Sequence, residues 1–229
     1  MISVVIPTFN EKKNIRPILK KLFKLNIISE IIFVDDNSED GTFSEIKKHF
    51  NKKKIKGFQR KKNKDLSKSV IFGVKKAKEE SILVMDCDLQ HDTNYISKMW
   101  KKFKKKDTDI IIASRFEKKS YYGNLGLLRS VFSKFAIFII NVSFGQKTSD
   151  PLSGFFLCRK ELITRYNKNF FSKGYKILFD ILYNGKINIS IIDFGITFKK
   201  RKFEKSKFNL RIIGLFFCQI LYTKLLVKK

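Results

Sequence analysis

Short, almost wholly apolar runs limit what this chain can become more than any other feature. Ile2–Ile6, Ile31–Val34, Ile82–Met85 and Ile110–Ala113 are rich in β-branched residues, with Ile55–Phe58 as a weaker fifth run. A strand that is apolar on both sides must be covered on both sides. Between the runs lie stretches with apolar residues at helical spacing, as at Ile15, Ile18, Leu19, Leu22 and Phe23 within Glu11–Leu25. Thr42–Phe50, Leu66–Lys78 and Thr93–Phe103 continue the rhythm. Strand–helix alternation of this kind predicts an α/β fold, a mostly parallel sheet flanked by helices, with ligands beyond the carboxyl ends of the strands. At 229 residues and 43% hydrophobic, the chain has enough apolar surface for one such domain and is not disordered by composition.

The pattern changes after about residue 118. Leu125–Phe144 is strongly apolar but interrupted by Arg129 and Lys134, and Leu210–Val227 is interrupted by Arg211, Gln219 and Lys224. A membrane span needs about 20 mostly apolar residues. Both stretches sit near that length with charges inside it, so both are expected to be helices lying at a membrane interface, or packing on one another or on a partner. A formal net charge of +28 favours anionic partners. Runs such as KKNK and KKFKKK read individually as solvated faces, yet each Lys or Arg near an anionic leaflet adds about 1 kcal/mol. Nucleic acid is not an expected partner: no nucleic-acid-binding motif occurs, and acids gather at strand ends. Cys87, Cys158 and Cys218 are too far apart for a zinc motif or a disulfide framework, which fits a reducing compartment. ISVVIP reads as a first strand from residue 2, so no signal peptide is expected.

Chemistry-bearing residues follow the apolar runs. In MDCDLQHD, Asp86, Asp88 and Gln90 occupy alternate positions, and in an extended segment such residues project to one side. Two carboxylates and an amide oxygen suit a hard divalent cation, Mg2+ or Mn2+. In VDDNS, Asp35 and Asp36 have two compatible readings. They can accept hydrogen bonds from a ribose or base, or form an Asx-turn and cap ahead of the helix at Thr42. In IPTFNE, Pro7 and Phe9 stand at a strand-to-helix turn where they can flank a flat base.

SVVIPTFNE, VDDNSEDGT, MDCDLQHD, SRF and DPLSGFF occur in an order and spacing that resemble family 2 glycosyltransferases, closest to the dolichol-phosphate mannosyltransferase branch, over about residues 2–207. The resemblance implies a GT-A-type nucleotide-sugar-binding fold. It implies inverting transfer of mannose from GDP-mannose to dolichyl or other polyprenyl phosphate with a divalent metal; a UDP-sugar such as UDP-glucose is the alternative donor. Carried over by motif, Pro7, Phe9 and Glu11 line the nucleotide pocket and Asp36 meets the base or ribose. Asp86, Asp88 and Gln90 hold the metal on the donor diphosphate. Arg115, Arg129 and Ser133 form the acceptor-phosphate site, and Arg201 and Lys207 belong to a basic loop over the donor phosphates. Asp88, Arg115 and Arg129 are the residues expected to carry catalysis. The chain departs from the family at Asp65, where a glycine is usual, at Lys68, where a small residue is usual, near Glu204, and at Asp92-Thr93, where prolines commonly follow the histidine. These departures bear on loop detail, and an inactive scaffold of the same fold is the reading they would favour.

A phosphate monoester acceptor has a second pKa of about 6 and is mostly ionised near neutrality, so it needs positioning more than a general base. His91 is accordingly read as a supporting or capping group. The division expected is a catalytic domain over 1–207 and a membrane-associating helix over 208–229. The chain ends without a multi-span region. A peripheral protein on the cytoplasmic face of a membrane is therefore expected, held by its apolar helices and basic surface or by a small membrane subunit.

Overall fold

The computed structural model describes residues 1–61, 65–105, 107–117, 127–174, 176–186, 188–199 and 210–227, without the side chains of 127–129, 210–212 and 227. Seven strands form one sheet: β1 (Ile2–Thr8), β2 (Ile28–Asp35), β3 (Ile55–Gln59), β4 (Ser81–Val84), β5 (Ile110–Ser114), β6 (Phe156–Arg159) and β7 (Ile191–Gly195). Their order is β3-β2-β1-β4-β6-β5-β7. All pairings are parallel except those of β6, which runs antiparallel between β4 and β5. The α/β fold class and the mostly parallel sheet expected from the apolar runs are therefore observed.

Helices cover both faces, as apolar strands require. On one face, α1 (Lys12–Leu22), α2 (Thr42–Lys47) and α4 (Asn94–Lys105) bury Ile15, Ile18, Leu22, Ile46, Ile96 and Met99 against Val4, Ile6, Phe33, Leu83 and Ile111. On the other, α3 (Leu66–Lys76), α6 (Glu161–Thr164) and α7 (Ile177–Tyr183) bury Val70, Val74, Leu162, Ile163 and Ile181 against Val5, Ile32, Val84 and Ile112. Neighbouring residues of each strand thus serve opposite cores, as the two-residue pleat dictates.

The two late apolar stretches are α5 (Leu127–Phe144) and α8 (Leu210–Val227). They pack together over α7 in a third, smaller core of Ala136, Ile140, Leu152, Phe179, Phe216 and Ile220. Helix α8 is polar inward: Gln219 Nε2 donates to Lys176 O (3.2 Å), and Asn184 Nδ2 donates to Thr223 Oγ1 (3.0 Å) and Asp180 Oδ1 (2.9 Å). Outward, it exposes Phe217, Leu221 and Leu225, while α5 exposes Val131, Phe135, Phe138 and Val142 at helical spacing. Among the described residues, no helix is long and apolar enough to cross a membrane.

Candidate active site

Parallel pairing brings the carboxyl ends of β1, β2, β3, β4, β5 and β7 to one edge of the sheet. The antiparallel β6 enters from that edge, so the preceding Asp150–Phe155 segment lies there too.

The acids after β2 are taken up by the fold. Asp35 accepts from Ser38 Oγ (2.5 Å), the Ser38 N–H three residues on (3.0 Å) and Thr8 Oγ1 (3.3 Å). Asp36, 5% exposed, accepts from Arg60 Nη1 (2.7 Å) and from the Asp65 N–H. Burial pushes its carboxyl above the ordinary value, against the pull of Arg60. Both of its oxygens thus accept a hydrogen bond within the protein. Asp40 accepts from Thr42 N–H (2.9 Å) and Oγ1 (2.5 Å) ahead of α2. Pro7 is buried within β1 and Phe9 is partly buried just beyond it. Glu11 is buried and accepts from Asn14 Nδ2 (2.6 Å). Asp65, the departure at a usual glycine, caps α3 by accepting from the Lys68 N–H (3.1 Å) and takes the Gly174 N–H (2.5 Å).

The turn after β4 is built differently. The sequence predicts an extended segment through Gln90; instead the strand ends at Val84 and the chain curls, with Leu89 at φ +64° and the Gln90 N–H donating to Asp88 Oδ1 (3.1 Å). A carboxylate close to a main-chain N–H two residues on favours such a turn over extension. Asp86 is partly buried, and its carboxylate makes no hydrogen bond or ion pair among the described residues. It lies against Gly154, where an added Cβ would stand 2.8 Å from Asp86 Oδ2, so the glycine of DPLSGFF makes room for it. Asp88 and Gln90 are 4% and 3% exposed, and Gln90 Oε1 is buried and accepts no hydrogen bond.

His91 lies inside the turn. Its ring stacks on Phe155 (centroids 4.9 Å, planes 20° apart), meets Phe198 edge-on (5.7 Å), and Nδ1 accepts from the Asp86 N–H (3.4 Å). Burial pushes its pKa down, against the pull of Asp86 and Asp88, which keeps the imidazole neutral. Arg115 donates from Nε (2.7 Å) and Nη2 (2.8 Å) to the two oxygens of Asp150, a buried bidentate pair. Burial works against its charge, and Asp150 and Asp86 more than restore it. The structure therefore brings Arg115 to the acid turn with one edge of its guanidinium held by Asp150. Ser133 is on the buried side of α5. The side chain of Arg129, and Arg201 and Lys207 altogether, lie outside the described residues.

Among the described residues, no three His, Cys, Asp or Glu side chains cluster as a metal site. The expected donor set differs by including an amide. Asp86, Asp88 and the unpartnered Gln90 Oε1 are oxygen donors of the kind Mg2+ and Mn2+ take, completed by water and phosphate. Sequence reasoning missed Asp150 as the partner of Arg115, since 35 residues separate them and nothing local links them. It also missed Phe198 and Lys199, whose only signal was a position just past an apolar run.

Three comparisons bear on this arrangement. The family model described as Glycosyl transferase family 2 matches residues 3–166. The dolichol-phosphate mannosyltransferase of Pyrococcus furiosus is 34% identical over 216 residues, covering 93% of this chain and 60% of that protein, so the chain spans well under two thirds of that relative's length. The protein of the same name from Saccharomyces cerevisiae is 28% identical over 231 residues, covering 92% of this chain and 82% of its own length. Among solved structures, glucosyl-3-phosphoglycerate synthase from Mycobacterium tuberculosis, with Mn2+, uridine diphosphate and phosphoglyceric acid, has a TM-score of 0.73 at 16% identity, covering 98% of this chain and 77% of that one. That likeness speaks to the fold alone.

Proposed function

Because the chain belongs to glycosyl transferase family 2, we propose that it transfers mannose from GDP-mannose to a polyprenyl phosphate, with inversion at the anomeric carbon, at a membrane surface. The observation that carries this reading is the acid turn: buried or partly buried oxygens at the carboxyl edge of the sheet, of which the Asp86 carboxylate accepts from no described residue and Gln90 Oε1 accepts no hydrogen bond.

Asp86, Asp88 and Gln90 would hold a divalent cation, which neutralises charge on the departing nucleoside diphosphate. Arg115, kept rigid by Asp150 and charged beside Asp86, adds a fixed positive field at the same place. An oxygen of the acceptor phosphate attacks the anomeric carbon from the face opposite the diphosphate. The new C–O bond forms as the old one breaks, and no proton need be removed from an already ionised phosphate. Neutral, buried His91 suits a supporting role here rather than that of a base. Arg129, Ser133, Arg201 and Lys207 complete the proposal as ligands of the two phosphate groups.

The outward apolar faces of α5 and α8 and the +28 charge support docking on an anionic leaflet, with α8 (within residues 208–229) serving the domain formed by 1–207. The cytoplasmic face is the side proposed, and a small membrane subunit is a further partner consistent with that apolar surface.

The test incubates the protein with labelled GDP-mannose or UDP-glucose, Mg2+ or Mn2+, and a polyprenyl phosphate in vesicles. Label entering the organic phase from GDP-mannose supports the proposal. Label entering only from UDP-glucose replaces the donor, and none from either sinks the reaction.

A further inference from the structure

The chain leaving β7 grips the acid turn. The Ile196 N–H donates to Ser114 O (3.0 Å), and the Thr197 N–H donates to Tyr95 Oη (3.2 Å). Phe198 lies against both the His91 ring and, at 5.7 Å, the Arg115 guanidinium. Lys199 then makes a two-way pair with Gln90: its N–H donates to Gln90 O (3.0 Å), and Gln90 Nε2 donates to Lys199 O (3.0 Å). Its Nζ meets Asp92 Oδ2 at 2.6 Å, and this holds the Asp92 carboxyl below its ordinary value although burial pushes the other way.

This pairing decides which way the Gln90 amide faces. A main-chain carbonyl can only accept, so the NH2 group must point to Lys199 O. The oxygen is then left on the other side, buried and accepting nothing. We infer that Lys199 is a positioning residue for the cation-binding turn: its main chain fixes Gln90 so that the amide oxygen, not the NH2, is presented to the cation. The inference rests on the cation reading of Asp86, Asp88 and Gln90 given above. It also accounts for a neutral amide where a carboxylate would be the stronger isolated ligand for a hard cation. A glutamate at position 90 cannot donate to Lys199 O, and it would set two acceptors against each other away from water.

That last point gives an outcome opposite to simple electrostatics. Mn2+ would be titrated into the purified protein with GDP and, separately, with UDP, and followed by electron paramagnetic resonance. Amide hydrogen exchange over 196–199 would be followed without metal. Gln90→Glu is expected to bind Mn2+ about tenfold more weakly than wild type despite the added negative charge, and to exchange faster at 196–199. Lys199→Pro leaves every proposed ligand in place and removes the N–H given to Gln90, together with the Nζ–Asp92 pair that Lys199→Met removes by itself. It is expected to weaken Mn2+ by about three- to tenfold, and it decides the matter alone if Gln90→Glu fails to fold. Lys199→Met keeps the main-chain pair and should change affinity less than about threefold. Wild type that binds no Mn2+ with either nucleotide overturns the cation reading together with this inference. Wild type that binds, with Gln90→Glu or Lys199→Pro binding as tightly, overturns the inference alone.

Discussion

Two acid-rich turns leave the same edge of the sheet and use their carboxylates in opposite ways. After β2, Asp35, Asp36 and Asp40 all accept hydrogen bonds from Ser38, Arg60, Thr42 and nearby main chain. After β4, the Asp86 carboxylate accepts from no described residue, and Gln90 Oε1 accepts from nothing. The reason is compositional. Ser38, Thr42 and Arg60 supply the first set with donors, whereas Leu89 and the weakly donating Cys87 interleave the second. An acid pattern at a strand end therefore marks a place, and the donors beside it decide between scaffold and ligand.

The sharpest way to break that contrast is to remove one acid from each turn. Asp86→Ala or Asp88→Ala should lower kcat/KM by about a thousandfold, and Asp86→Ala should cost less than about 1 kcal/mol of denaturant stability, because its carboxylate accepts no hydrogen bond from a described residue and supports Arg115 by charge alone. Asp36→Ala should instead cost roughly 2 kcal/mol of stability, since it removes the carboxylate that accepts from both Arg60 and the Asp65 N–H. A melting Asp86→Ala and a stable Asp36→Ala would reverse the assignment.

Asp150→Ala extends the test to the floor of the second turn. It leaves the Arg115 guanidinium buried without its partner and should cost about 3 kcal/mol or more by urea unfolding. An unchanged midpoint would mean that the pair contributes nothing. Gly154→Ala is gentler: a methyl 2.8 Å from Asp86 Oδ2 must push the carboxylate aside, lowering kcat/KM about tenfold with little change in melting.

The smallest effect serves as a control remote from both turns. Burial pushes the Glu30 carboxyl up, but Lys56 Nζ (2.7 Å), the Lys78 N–H (2.7 Å) and Ser3 Oγ (2.5 Å) hold it below its ordinary 4.5. A lowered folded pKa gives stability that is present above the unfolded value and is lost as pH falls through the folded one. Wild type should exceed Glu30→Gln by about 1 kcal/mol at pH 7, and the gap should close in acid, measured by urea midpoints at both pH values. A gap that persists would remove Glu30 as its source.

Much of this was legible in the chain. Apolar runs located β1, β2, β4 and β5 to within three residues, because strands buried on both faces leave no polar alternation to confuse them. β7 and α7 went unread. Ile191–Gly195 carries Asp193 in its middle, and Ile177–Tyr183 buries Asp180, whose oxygens accept from the Phe171 and Ser172 N–H groups. Such polar residues are explained only by tertiary partners. Asp86, Asp88 and Gln90 were legible as candidate oxygen donors from residue type, while the curl at Leu89 that arranges them was not, since a positive φ at leucine is set by context rather than propensity. The pairing of Arg115 with Asp150, and of Gln90 with Lys199, joins segments that sequence order keeps far apart.

The antiparallel β6 has a consequence for synthesis. It is the strand that joins β4 to β5, and neither β5 nor the outer edge of β4 has another route to being paired there. As the chain emerges from the ribosome, β1 to β4 can associate once residue 84 is out. β5 follows and then waits for residues 156–159, a delay of a few seconds at ordinary elongation rates. During that interval two apolar edges stand open, the condition under which neighbouring nascent chains pair wrongly. Ribosomes halted just before residue 156 should therefore carry an aggregation-prone nascent chain, whereas release past residue 159 lets β6 bridge β4 and β5 and leaves only the far edge of β5 for β7.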